Sequence, residues 1–140
     1  MANYASNSLI LEIDATVGGA LSVITQYIRT FNGIDIEPIF DEDAMSYGDT
    51  WPEVIDTTLR KAAPVVLGGA YNDGVTPAPD VIFYNAGAYM GGIKSFKVTW
   101  GGSKTTAFEV GLGKYRRVAD RGKLHMFEIT LHPTGAVTEA

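Results

Sequence analysis

The sequence predicts a mainly β protein: a β-sandwich or barrel with one flanking α-helix and one long loop. Three observations carry that prediction. Runs of Val, Ile, Thr, Tyr and Phe, with apolar and polar residues alternating, recur along the chain, and period two marks half-buried strands. Sixteen glycines and six prolines punctuate those runs with turns. A single stretch, following Asp80, reads as helix.

The elements follow in order. Residues 1–8 are small and polar and read as a flexible N-terminal arm. Residues 9–14 form a short strand closed by Val17-Gly18-Gly19. Over 21–36, Val23, Thr25, Tyr27, Arg29 and Phe31 oppose Ile24, Gln26, Ile28 and Thr30, which predicts one long strand. Residues 37–63 are too long for a hairpin turn and read as an extended loop whose aromatic content argues against disorder. A strand over 64–70 ends at Tyr71-Asn72-Asp73-Gly74, and 76–80 make a rigid connector. Asp80 caps a helix running from near Val81 towards Gly87.

The C-terminal half returns to strands. Over 93–100, Phe96, Val98 and Trp100 share one face while Ser95, Lys97 and Thr99 make the other polar. Gly101-Gly102-Ser103-Lys104 reads as a hairpin turn into a strand over 105–110, and Gly111-Leu112-Gly113 as another turn. A final strand over 123–131 is broken by Pro133-Thr134-Gly135, leaving a tail at 135–140. One domain is expected to span 1–140.

Composition narrows the function. A chain of 140 residues is able to bury roughly 68–70% of its unfolded surface in one core. Without cysteine there is no disulfide or thiolate chemistry. The longest uncharged stretches, 15–28 and 81–93, fall short of the ~20 residues a spanning helix needs. The N-terminus has neither a basic start nor an apolar centre, so a protein made in a cytoplasm is expected. The net charge of −5 hides an asymmetry: residues 1–80 hold twelve acids and three bases, residues 81–140 four acids and eight bases. Oppositely charged halves favour head-to-tail contact between copies. Eight bases over sixty positions make only a weak nucleic-acid face.

Catalytic and metal candidates are thin. His125 and His132 lie seven apart, on opposite faces of an extended strand, and do not form a local metal pair. Asp41, Asp43 and Glu53 invite comparison with a calcium loop, but Met45 and Ser46 occupy its ligand and glycine positions. Neither Gly111-Leu112-Gly113 nor Gly101-Gly102-Ser103-Lys104 has the spacing of a dinucleotide or phosphate loop. No Gly-x-Ser-x-Gly elbow is present. The expectation is a protein with no catalytic site, metal or cofactor.

Several segments in matching order carry a resemblance. They are Ile24-Thr25-Gln26-Tyr27-Ile28, Tyr47-Gly48-Asp49 after the acidic stretch, and Leu67-Gly68-Gly69-Ala70-Tyr71-Asn72-Asp73, followed by Lys114-Tyr115-Arg116-Arg117 and 120–135. Together they resemble the tail tube (major tail) proteins of long-tailed, non-contractile bacteriophages. The resemblance implies a phage tail-tube-like barrel flanked by a helix, with six copies closing into a ring and rings stacking into a tube. It implies a virion protein made in the host cytoplasm, with tape-measure and tail terminator or initiator proteins as partners. DNA would pass through the lumen without specific binding, and no membrane would be involved. The long loop, 37–63, would reach the adjacent ring. Asp41, Glu42 and Asp43 would then dock against Arg116, Arg117, Arg121 and Lys123 of the next ring. Exposed ion pairs are worth only about 0–1 kcal/mol each, so they would set register while Met45, Tyr47 and Trp51 carried affinity.

Two other readings compete. A stand-alone β-sandwich module would bind carbohydrate or peptide on Trp51, Tyr47 and Tyr71. A related ring-former would be a tail terminator, a head-joining protein or the tube component of a secretion or injection machine.

Overall fold

The computed structural model describes residues 8–42, 54–75 and 77–140. The chain divides into two compact units, one built from residues up to Gly33 together with Pro64–Ala140, the other from Ile34–Ala63.

The larger unit is a curled seven-stranded antiparallel sheet. Its strands are β1 (Ile10–Asp14), β2 (Leu21–Val23), β3 (Thr30–Phe31), β6 (Val65–Ala70), β7 (Ile93–Thr99), β8 (Thr105–Val118) and β9 (Met126–Glu139), in the order β2-β1-β7-β8-β9-β6-β3. The smaller unit pairs β4 (Ile36–Glu42) with β5 (Val54–Ala62). The mainly β class with one short α-helix, α1 (Pro79–Phe83), agrees with the sequence.

Period two explains the core. Leu11 and Ile13, Phe96 and Val98, Phe108 and Val110, Phe127, Ile129 and Leu131, and Val65 and Leu67 all bury one face of the sheet. Ile82 and Phe83 of α1 cover it, with Phe83 stacked on Phe127 at 5.9 Å between centroids. Each such side chain contributes about 1.5–3 kcal/mol on burial. The opposite face carries Ser95, Lys97, Ala107 and Glu109 and is partly exposed.

Five expectations need correction. Residues 21–36 do not form one strand: β2 ends at Val23, a 3-10 turn spans Thr25–Tyr27, and β3 is two residues long. Bonds to two separate strands override the alternation there. Ile24 N–H donates to the Leu11 carbonyl, and Leu11 N–H to Thr25 Oγ1, while Arg29 N–H donates to the Gly68 carbonyl. The segment thus laces β1 to β6, and Gly69 is required because a Cβ there would collide with the Tyr27 carbonyl. Asp80 does not cap the helix. Ala78 holds that position without a side-chain bond, Pro79 opens the first turn, and the Asp80 carboxylate is used elsewhere.

Gly111-Leu112-Gly113 is no turn but the middle of β8. His132 packs its ring against Gly113, where a Cβ would stand within 2.6 Å of it. Residues 133–140 are likewise no break and no tail. The strand β9 runs to Glu139, with Gly135 at φ 75 absorbing a bulge between the Ala107 and Glu109 pairings. A side-chain relay ties its end down: Trp100 Nε1 donates to Thr106 Oγ1 at 2.9 Å, which bonds Glu139 Oε1 at 3.1 Å.

Residues 37–63, expected as an extended loop, carry β4 and β5 and fold as a unit of their own. Residues 43–53, between those strands, and residues 1–7 of the arm expected over 1–8 lie outside the described residues.

Candidate assembly interface

The long hairpin β8–β9 positions the most distinctive surface of the larger unit. Its two strands are fourteen residues each, but their outer neighbours are short. On one side β7 pairs only as far as Gly111, and Gly91 and Gly92 make the last bonds, to Leu112. On the other side β6 pairs only as far as Leu131. Among the described residues, therefore, 113–118 of β8 and 132–139 of β9 have no strand beside their outer edges. The two bare edges lie on opposite sides and at opposite ends of one hairpin. Unpaired edges of this length are ready templates for another strand.

Thr105 and Ala140 exchange both backbone bonds at 3.0 Å. Alternation from there turns the N–H of Val137 and of Glu139 outward, towards the open side. Pro133, opposite Val110, falls in the outward phase, so it costs the β8–β9 ladder no bond.

The turn end of the hairpin is basic. Arg116, Arg121 and Lys123 are exposed there, with Lys123 N–H closing a turn on the Asp120 carbonyl. Arg116 stands across from Glu128 in register. Arg117 points the other way, into the packing of α1. Its Nε and Nη2 donate to Asp80 Oδ1 at 3.0 and 2.7 Å, and Tyr115 Oη donates to the same oxygen at 3.0 Å. The guanidinium also lies 4.8 Å from the ring of Tyr84 and within 6 Å of those of Tyr71 and Tyr115. Tyr84 and Tyr115 stack at 5.4 Å. Asp80 holds Arg117 above its ordinary pKa, and burial, with Asp80, pushes the Tyr115 phenol up. This cluster clamps α1 to β8 and is a packing device.

The predicted site residues therefore separate into groups. Arg116, Arg121 and Lys123 share one exposed end, while Arg117 is committed within its own chain. Asp41 and Glu42 close β4, in register with Ile55 and Val54. Asp43, Met45, Tyr47 and Trp51 lie outside the described residues. Tyr71, suggested as a binding platform, is half-buried beside Arg117 and His125.

Sequence reasoning missed Lys94, which is fully buried. Its ammonium donates to the Asp14 carbonyl at 2.9 Å and the Ile82 carbonyl at 2.8 Å, and sits 4.2 Å from the Tyr89 ring centroid. Burial pushes its pKa down to about 8, against the pull of Asp14. The signal was present, since Lys94 is in phase with Phe96 and Val98. Among the described residues no group of His, Asp and Glu is placed to hold a metal.

No family model matches the chain, and no curated protein is similar to it. Solved structures are similar. A chain from the tail of an empty gene transfer agent particle, computed with helical refinement in C6 symmetry, is 16% identical with a TM-score of 0.72 over 99% of both chains. A chain of the anti-feeding prophage baseplate, 6-fold symmetrised, is 7% identical with a TM-score of 0.76 over 100% of this chain and 97% of that one. A chain of the native gene transfer agent virion is 15% identical with a TM-score of 0.73 over 99% of both. At these identities the likeness shows a shared fold.

Proposed function

We propose that this protein is a structural tail protein of a phage or phage-like particle, closing with identical copies into a six-membered ring whose stacking builds a tube for the passage of DNA. The observation that carries the reading is the pair of bare edges on β8–β9. In a ring, β9 of one copy lies antiparallel beside β8 of the next. The diagonal placement of the two edges makes this pairing staggered, and stagger is what a closed barrel of tilted strands requires. The contact is head-to-tail, so it closes only by cyclic symmetry. The sixfold symmetry of the particles whose chains share the fold supports a ring of six copies. A tape-measure protein inside the tube and initiator and terminator proteins at its ends are the partners of this reading, and the virion its location. No chemistry is assigned to the chain.

Electron micrographs of the concentrated protein are expected to show rings or rods. Val137→Pro removes an outward N–H without touching the β8 ladder, so the variant is expected to fold with a similar Tm and to stay monomeric. Rings formed equally well by that variant would overturn the edge pairing. A likeness to a baseplate chain also fits a ring-former that does not polymerise. That second reading predicts single rings at every concentration.

A further inference from the structure

The two ends of the β1–β7 ladder differ in shape, one protruding and the other recessed. At one end Val17, Met90 and Ile93 protrude, 52%, 62% and 48% exposed. The loops that carry them touch, since Val17 Cγ2 lies 3.3 Å from where a Cβ on Gly92 would stand. At the other end an open cleft of about 460 Å³ is lined by Leu9, Leu11, Thr25, Ile28, Thr30 and Phe31, with Arg29 the only charged residue on its wall among the described residues. The register places these features at opposite ends: Ile10 pairs with Thr99 beside the cleft, and Ile13 with Phe96 towards the protrusion. Five residues of β1 rise about 17 Å, so a chain does not fill its own cleft with its own protrusion.

We propose that the Val17–Met90–Ile93 protrusion of one copy seats in the Leu9–Ile28–Phe31 cleft of a second copy, adding copies along the strand direction. The inference rests on the self-assembly reading and supplies a contact that reading leaves open. Edge pairing adds copies across the strands, whereas this contact adds them end to end. It removes an exposed apolar group from water at each junction and leaves a fresh protrusion and a fresh cleft at the two ends, so it propagates without limit.

The natural absence of cysteine makes the test clean. Met90→Cys and Thr30→Cys both change exposed residues. With a short bis-maleimide, the double variant is expected to give a ladder of dimers, trimers and longer chains on a denaturing gel. A mixture of the two single variants is expected to give dimers containing one of each, and either variant alone to remain monomeric. Dimers from Met90→Cys alone would mean that protrusion meets protrusion, and would overturn the contact. Rings or rods without the ladder would overturn it too, and leave self-assembly standing. A monomer at every concentration, with no ladder, would overturn both readings. Independently, Met90→Glu is expected to raise the concentration needed for rod growth about tenfold or more with Tm unchanged; unaltered growth would count against the contact.

Discussion

At the scale of single residues, the buried Lys94 has the clearest measurable consequence. Its folded pKa is about 8, below the ordinary 10.5, so between those values the unfolded chain holds a proton that the folded chain has released. Stability from this group therefore rises as pH rises through that window. Tyr115 acts with the opposite sign above pH 10, because its raised pKa keeps the folded phenol protonated while the unfolded one ionises. The clean interval is thus pH 8 to 10. Urea midpoints are expected to climb across it in the natural protein, and Lys94→Met is expected to lose that climb. An identical slope in both proteins would refute the assignment. Lys94→Ala, which adds a cavity and strands the Asp14, Ala15 and Ile82 carbonyls, is expected to cost about 2–5 kcal/mol. Such residues were only half legible in the sequence. Alternation placed Lys94 on the buried face, but its carbonyl partners come from residues 14 and 82, which no local pattern joins. Arg117 was singled out for its charge. Its partners, Asp80 in α1 and Tyr84 just after it, lie more than thirty residues away.

At the scale of elements, the β4–β5 hairpin stores strain. Pro38 pairs with Arg60 and Phe40 with Asp56, so three residues of β5 face Ile39 alone. Thr58 inside this bulge has φ 64, a left-handed conformation that costs a β-branched residue about 1–2 kcal/mol. The bulge is held by Thr57 Oγ1 donating to the Ile39 carbonyl at 2.6 Å, and by Asp56 accepting from Thr58 N–H and from Arg60. Those bonds hold the exposed Asp56 carboxyl below its ordinary pKa. Thr58→Asn keeps the backbone bonds and tolerates that conformation, so it is expected to slow hydrogen exchange across 36–62 by roughly two- to fivefold. Faster exchange would show that the threonine side chain supports the bulge. A two-stranded unit is marginal alone, which makes small changes readable there. The hairpin escaped sequence reasoning because acids and a proline break its alternation. Strands β8 and β9 were legible in phase but not in length, since Gly111, Gly113, Pro133 and Gly135 resemble stops until a partner strand and a bulge accommodate them. Strand 93–99 was legible throughout, because both its neighbours lie in one regular ladder.

At the scale of the whole molecule, the proposed assembly rests on contacts in two directions and on a charge asymmetry that would fix their polarity. As proposed, edge pairing and end-to-end seating are both head-to-tail, and together they would generate a lattice that must close in one direction to become a tube. The acidic residues Asp41, Glu42 and Asp43 belong to the half of the chain rich in acid, and Arg116, Arg121 and Lys123 to the half rich in base. Their proposed meeting between rings makes a sharper prediction now that Arg117 is known to be occupied by Asp80. Reversing the three acids to Lys is expected to leave rings intact and stop rods. Reversing Arg116, Arg121 and Lys123 to Glu in the same chain is expected to restore them, because complementary charge returns with opposite sign. Arg117→Ala should lower Tm instead, by freeing α1 from β8, with growth per folded molecule unchanged. Each exposed pair is worth at most about 1 kcal/mol and is screened over about 10 Å at 0.1 M salt. Moderate salt should therefore slow rod growth in the natural protein and rescue part of it in the acid-reversed one. Rods that grow equally from every variant, or a double reversal that fails to rescue, would place the ring-to-ring contact elsewhere on the surface.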